Sequence, residues 1–243
     1  MTTAVERRLV KDLEHVRRFH QARNGSPELG AALDRLARWQ ARRLDATYAD
    51  LAGDPRYAEA IAFFRTDLYG PGDFSRRDAD LARVVPLMMH MLPQAVIATV
   101  ATVIELNALS QKLDRALLDV LGFDGALSVP AYCAAYQACA NRRARARQIA
   151  LIVDVGRALD RYVRKPLLRS TLTLMRHPAR VAGLGALQEF LERGFVGFAS
   201  MRGAELFVAT IKARETALMD AMFGGDRAPF PDPMAKGAGA VAD

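Results

Sequence analysis

The 243-residue chain is 51% hydrophobic and 25% charged, a balance that excludes disorder as the main state and is long enough for a substantial core. Its net charge of +7 is unevenly placed: residues 141–180 carry ten arginines and Lys165 against Asp154 and Asp160, an excess of nine that leaves the remainder at minus two. Two cysteines without a CxxC pair argue against a disulfide framework or a zinc signature, and the charged N-terminus reads against a signal peptide, so a cytoplasmic protein is expected.

In chain order, the pattern predicts a first helix over residues 5–22, closed by Asn24-Gly25, a pair able to adopt positive φ. Ser26-Pro27-Glu28 opens the second with a capping serine, a proline whose missing N–H is harmless there, and an acid at the positive end of the dipole. That helix carries Leu29, Leu33, Leu36, Leu44, Tyr48 and Leu51 and stops at Gly53; Asp54-Pro55 then starts a third, reaching Tyr69. After Gly70-Pro71-Gly72, Ser75 and Asp78 stand in a capping-box relation, and the helix they open meets Pro86, which removes a backbone bond. Residues 84–104 are nearly uncharged, but Pro86, His90, Pro93 and Gln94 interrupt them. A helix break and a buried helix are therefore read there, in place of a membrane span of roughly 20 apolar residues.

Pro93 opens a fifth helix over residues 93–121. Its first half, AVIATVATVI, is apolar on every face, which marks a helix buried on all sides at the centre of the fold. Gly122-Phe123-Asp124-Gly125 is a turn, and Ser128 with Pro130 begins a helix holding Cys133 and Cys139, read as small buried thiols. From residue 147 to 164, Ile149, Ile152, Leu159 and Val163 share one side of a helix; Arg143, Arg147, Arg157, Arg161 and Arg164 share the other. Arg145 falls on the apolar side, so the helix restarts near Asn141. Pro166 and Pro178 each begin short helices, Gly194 separates the last pair, and the final helix reaches Phe223. Residues 224–243 hold too little apolar content to bury anything and are expected to be a flexible tail. The fold class is all-α, a single domain of about nine helices around residues 93–121, with residues 1–53 as a helix pair packed on or beside it.

Chemistry is sparse. Asp12 and His15 form one D-x-x-H on a charged helix, read as solvated, and neither E-x-x-H nor H-E-x-x-H occurs. His90 and His177 each offer a single haem ligand at most, and a structural role is the preferred reading. Met88, Met89, His90 and Met91 point about 100° apart on a helix and cannot converge on one copper ion; packing beside two prolines is preferred. Gly183-Leu184-Gly185, like Gly194, Gly197 and Gly203, reads as small residues for close helix contact. Glu105, one turn from Thr102 and two from Lys112, reads as an emerging polar face in preference to an active-site acid. No catalytic residue, metal ligand or cofactor is assigned. The stripe Arg143, Arg147, Arg157, Arg161 and Arg164 is a candidate polyanion-binding set, since guanidinium groups offer planar paired donors to phosphate. Without a helix-turn-helix signature or interleaved aromatics, a solvated face is the preferred reading.

The FF-x3-LYGP block of residues 63–71, followed by Phe74, Ser75, Asp78 and Pro86, resembles a family of bacterial all-helical proteins known only as a domain of unknown function. Pro178-Ala179, Gly183-Leu184, Leu187-Gln188, Phe190-Leu191-Glu192, Gly194-Phe195, Phe198 and Met201 resemble that family's C-terminal block. The likeness covers about residues 63–223, the first two helices adding little. It implies an all-α fold, and no activity or functional residue to carry over. The function expected is that of a non-enzymatic helical interaction or scaffold protein, homo-oligomeric or bound to a protein partner, with no membrane contact. The alternatives are a helical enzyme or cofactor binder whose site forms only in three dimensions, and nucleic-acid or other polyanion binding through the arginine stripe.

Overall fold

Two helix starts follow their capping serines. Ser26 accepts a hydrogen bond from the Leu29 N–H at 3.2 Å, and Ser128 accepts one from Ala131 at 3.3 Å, with Pro27 and Pro130 in the first turns. The structure, a computed structural model, describes residues 4–68, 78–81, 83–84 and 94–235. Among them are ten α-helices with described bounds, further helical residues at 78–81 and 83–84, one π-helical turn and no strand. The helices are α1 (Ala4–Gly25), α2 (Pro27–Thr47), α3 (Ala49–Ala52), α4 (Ala58–Phe63, running into the π turn Phe64–Leu68) and α5 (Gln94–Leu121). They continue with α6 (Val129–Ala138), α7 (Arg142–Val163), α8 (Pro166–Val181), α9 (Gly185–Ser200) and α10 (Glu205–Phe223). Ser75, Pro86, Met88, Met89, His90, Met91 and Pro93 lie outside the described residues.

The long α5 is the central element and packs on α1, α2, α6 and α7. Its burial differs from the expectation of a helix enclosed on all sides. Ile97 and Ile104 are buried along one edge, whereas Gln94, Ala95 and Ala98 are exposed. The side chains on the open edge are alanine or polar, so leaving them in water forgoes little burial energy. At 28 residues α5 is long and apolar enough to cross a membrane; a third of its most apolar stretch is buried, Ile97, Ile104 and Ala108 included, and beyond it Leu117 and Leu118 are buried within the bundle core.

Two apolar clusters flank it. In the first, Trp39 of α2 stacks on Tyr132 of α6 with ring centroids 4.5 Å apart, together with Leu36, Leu117, Cys133 and Met219. Phe230 meets both aromatic rings edge-on. Residues 224–235 therefore do not lie loose as expected: one phenyl ring, 7% exposed, ties the segment down against α2 and α6. Cys133 and Cys139 are unpaired, and burial pushes the Cys133 thiol up to about 11. The second cluster joins Tyr57, Phe198, Phe207, Met201 and Val153.

The FF block belongs to this second region. Phe63 lies against Phe190, and Phe64 against Phe198 and Phe207. A Cβ on Gly194 would stand 3.0 Å from the Phe63 ring, and one on Gly197 would stand 3.2 Å from the Glu59 carbonyl oxygen. These two glycines set the distance between α9 and α4. The remaining punctuation differs from the sequence reading. Helix two breaks at Tyr48, and Asp54 accepts from the Arg56 N–H in a turn that delays α4 to Ala58. Helix α8 runs through Pro178, which sits in its last turn, and ends at Gly183 with φ +71°; the Leu184 N–H closes the end on the Ala179 carbonyl. Gly194 is inside α9, and the chain turns between α9 and α10 at Arg202 and Gly203, both with positive φ.

Candidate functional site

Helix α7 begins at Arg142, as the position of Arg145 implies, and its apolar side meets α5, α9 and α10. The arginine stripe on its other side divides. Arg147 donates two hydrogen bonds to Glu105 at 2.8 and 2.9 Å, and Arg164 pairs with Asp160 at 2.6 Å. Arg143, Arg157 and Arg161 are exposed and make no ion pair among the described residues. Arg157 borders a concavity of about 580 Å³ between α7 and α10, where Val208 closes on Gly156 and Lys212 and Asp220 stand at the rim. Arg143 lies about 20 Å along the helix from Arg157, so the three free guanidinium groups do not converge.

Glu105 is not part of an emerging polar face. It is buried on α5, where Arg8 of α1 and Arg147 of α7 both bond its carboxylate. The three helices are thus tied by one acid. A cavity of about 210 Å³ opens beside it, lined by Asp12, Lys112, Leu109 and Ala144. Asp12 is itself buried, which corrects the solvated reading of the D-x-x-H pair, and burial followed by the nearby Lys112 charge lowers the His15 pKa. Because the carboxylate is the buried partner and its guanidinium groups reach water, loss of the cations costs more than loss of the acid. Arg8→Ala with Arg147→Ala is expected to destabilise the fold by about 2–4 kcal/mol, against about 1 kcal/mol for Glu105→Gln; urea denaturation compares them. Equal losses would show that Glu105 is fully hydrated.

A second polar layer lies inside the bundle. Arg43 of α2 forms a two-bond pair with Glu215 of α10 at 2.9 and 3.1 Å, and the Tyr48 hydroxyl donates to the same carboxylate at 2.9 Å. Gln40 donates to Asp114, whose pKa is raised by burial. Arg145, 5% exposed, holds its guanidinium 4.5 Å above the Tyr136 ring and donates to Gln148. Sequence reading missed this layer, although one signal was present: Arg43 continues the seven-residue spacing of Leu29 and Leu36, and Glu215 stands one turn from both Ile211 and Met219. These groups link helices. They do not present a nucleophile beside a base, and among the described residues no group of three His, Cys, Asp or Glu is placed to hold a metal ion.

Helix α8 has a different character. It packs on α9 and the end of α7, with Ala179 as its buried residue, and Gln188 donates to the Leu172 carbonyl at 2.7 Å. Leu167, Leu174, Pro178 and Val181 fall within one narrow arc and face solvent, at 80% exposure for Leu167 and 76% for Leu174 and Val181. The polar side carries Arg169, Arg176, Arg180 and no acid; Arg176 pairs with Glu192 of α9. His177 is exposed on this helix and has no neighbouring metal-ligand group among the described residues.

No curated protein and no solved structure is significantly similar to this chain. A family model does match, over residues 18–229, a range that takes in the end of α1 from residue 18 and all of α2 along with the FF block and the C-terminal block. That range is most of the chain, and the chain belongs to the family described as a domain of unknown function (DUF8198).

Proposed function

We propose that the protein is a non-enzymatic helical interaction module whose docking face is α8. The carrying observation is the ridge of Leu167, Leu174 and Val181, three large apolar side chains at least three-quarters exposed on one side of a helix. Scattered exposed leucines need no explanation, but aligned ones on a peripheral helix mark a contact surface. The bundle's buried charges support the reading from the other direction, since Glu105, Arg43 and Glu215 are engaged in holding helices together.

A photo-crosslinking side chain placed at position 174 in the full chain tests this in cells. Adducts, to protein or to lipid, are expected at Leu174 and not at Val120, an apolar residue of α5 that is 50% exposed. Identical or absent labelling at the two positions would refute the docking role of α8.

A further inference from the structure

Resting on that reading of α8, we infer that the surface it meets is an anionic lipid interface, on which the helix lies with the Leu167–Leu174–Val181 ridge turned into the headgroup boundary. Three observations carry this. First, the apolar face is a convex ridge on one helix, and the two concavities described above lie elsewhere, at α1–α5–α7 and α7–α10. A ridge that borders neither concavity among the described residues suits a deformable surface.

Second, the helix and its lead-in carry one sign of charge. Arg161, Arg164, Lys165, Arg169, Arg176 and Arg180 stand against Asp160 and Glu192, six cations to two acids and a net of plus four. A second copy of the chain docked on this face would bring two such fields together, so self-association is opposed and an anionic partner favoured. Third, the amphipathic division matches an interfacial helix. The ridge occupies one arc, and Arg169, Arg176 and Arg180 occupy the polar side, within about one helix diameter of a surface met by the ridge. At about 0.1 M salt the field of an anionic leaflet reaches about 10 Å, so those cations still feel it. Arginine stems are also long enough to extend along the helix towards the headgroups. Spanning is not required for such a contact, which departs from the sequence reading that expected no membrane contact.

Flotation of the full chain with vesicles tests the inference. The expected result is capture by vesicles containing roughly one third phosphatidylglycerol in phosphatidylcholine at about 0.1 M salt. Capture should be at least about tenfold weaker with phosphatidylcholine alone, and lost at about 1 M salt, where screening shortens to about 3 Å. The double variant Leu167→Asp, Leu174→Asp should lose about tenfold or more in bound fraction, and Arg169→Glu with Arg180→Glu should do likewise, both with an unchanged melting curve. Failure to bind anionic vesicles would overturn the lipid partner, as would equal binding by the aspartate variant. So would a salt-dependent shift of duplex DNA without vesicle binding, or an α8-dependent dimer in sedimentation. If position 174 crosslinks to a discrete protein while vesicles fail, the docking face stands and the lipid assignment falls; if neither occurs, both fall.

Discussion

Leu117→Asp is expected to abolish cooperative unfolding, leaving a chain with helical circular dichroism but no sigmoidal urea transition. Leu117 has no exposed surface and lies in the cluster that joins α2, α5, α6 and α10. An unpaired carboxylate there costs several kcal/mol, added to the lost packing of a leucine at about 2–5 kcal/mol. The sum reaches the whole stability of a typical domain, about 5–15 kcal/mol. Ile97→Asp, at the other end of the same helix, should be milder, although Ile97 is only 3% exposed. Ala95 and Ala98 beside it are open to water, so an aspartate there can turn outward and hydrate. A residual transition, lowered by about 2–4 kcal/mol, is the expected outcome for that variant. A wild-type midpoint for Leu117→Asp would remove α5 from its place as the core helix.

How much of this was legible in the sequence follows from the range of each interaction. Caps are local: Ser26 and Ser128 each bond an N–H three residues on, so their helices start where the sequence says. The all-α class is local as well, summed over many turns of apolar periodicity. What failed depends on distant partners. Pro178 reads as a helix start, yet Gly183 with its positive φ is the true stop, because a proline in the last turn forfeits one bond that the following closure compensates. The Gly-Pro-rich segment after residue 223 reads as empty of core residues, and a single phenylalanine contradicts that by packing edge-on against aromatic rings from α2 and α6. The FF block and the C-terminal block look like two separate motifs. They are opposite sides of one contact, in which a Cβ on Gly194 would crowd the Phe63 ring at 3.0 Å.

The charged side chains were the least legible. Arg147 and Arg161 share a helix face and a sequence context, but only Arg147 meets an acid, and that acid comes from a helix 42 residues away in the chain. No count of arginines separates the two. A charge at a core register is the usable sign, and Arg43 supplies the sharpest test of it.

Glu215→Ala is therefore expected to destabilise the protein by about 3–5 kcal/mol, the second of the two largest effects. Burial alone would lower the Arg43 pKa, but the Glu215 carboxylate more than offsets this, and the guanidinium is held charged with its pKa raised. Its side chain is 12% exposed and that of Glu215 is 19% exposed, so neither ion can recover full hydration when the other is removed. In Glu215→Ala the guanidinium keeps its position over the Phe230 ring, 5.9 Å from the centroid, a contact worth about 1–2 kcal/mol that does not replace a counter-ion. The Tyr48 hydroxyl loses its acceptor in the same step. Replacing both ions by apolar residues, Arg43→Met with Glu215→Leu, removes the desolvation cost along with the attraction and should recover to within about 1–2 kcal/mol of wild type. The cycle of the two single variants and this double one, followed by urea denaturation, separates the alternatives. A loss below about 1 kcal/mol in Glu215→Ala would mean that the pair behaves as a surface ion pair, and that the polar layer between α2 and α10 is open to water.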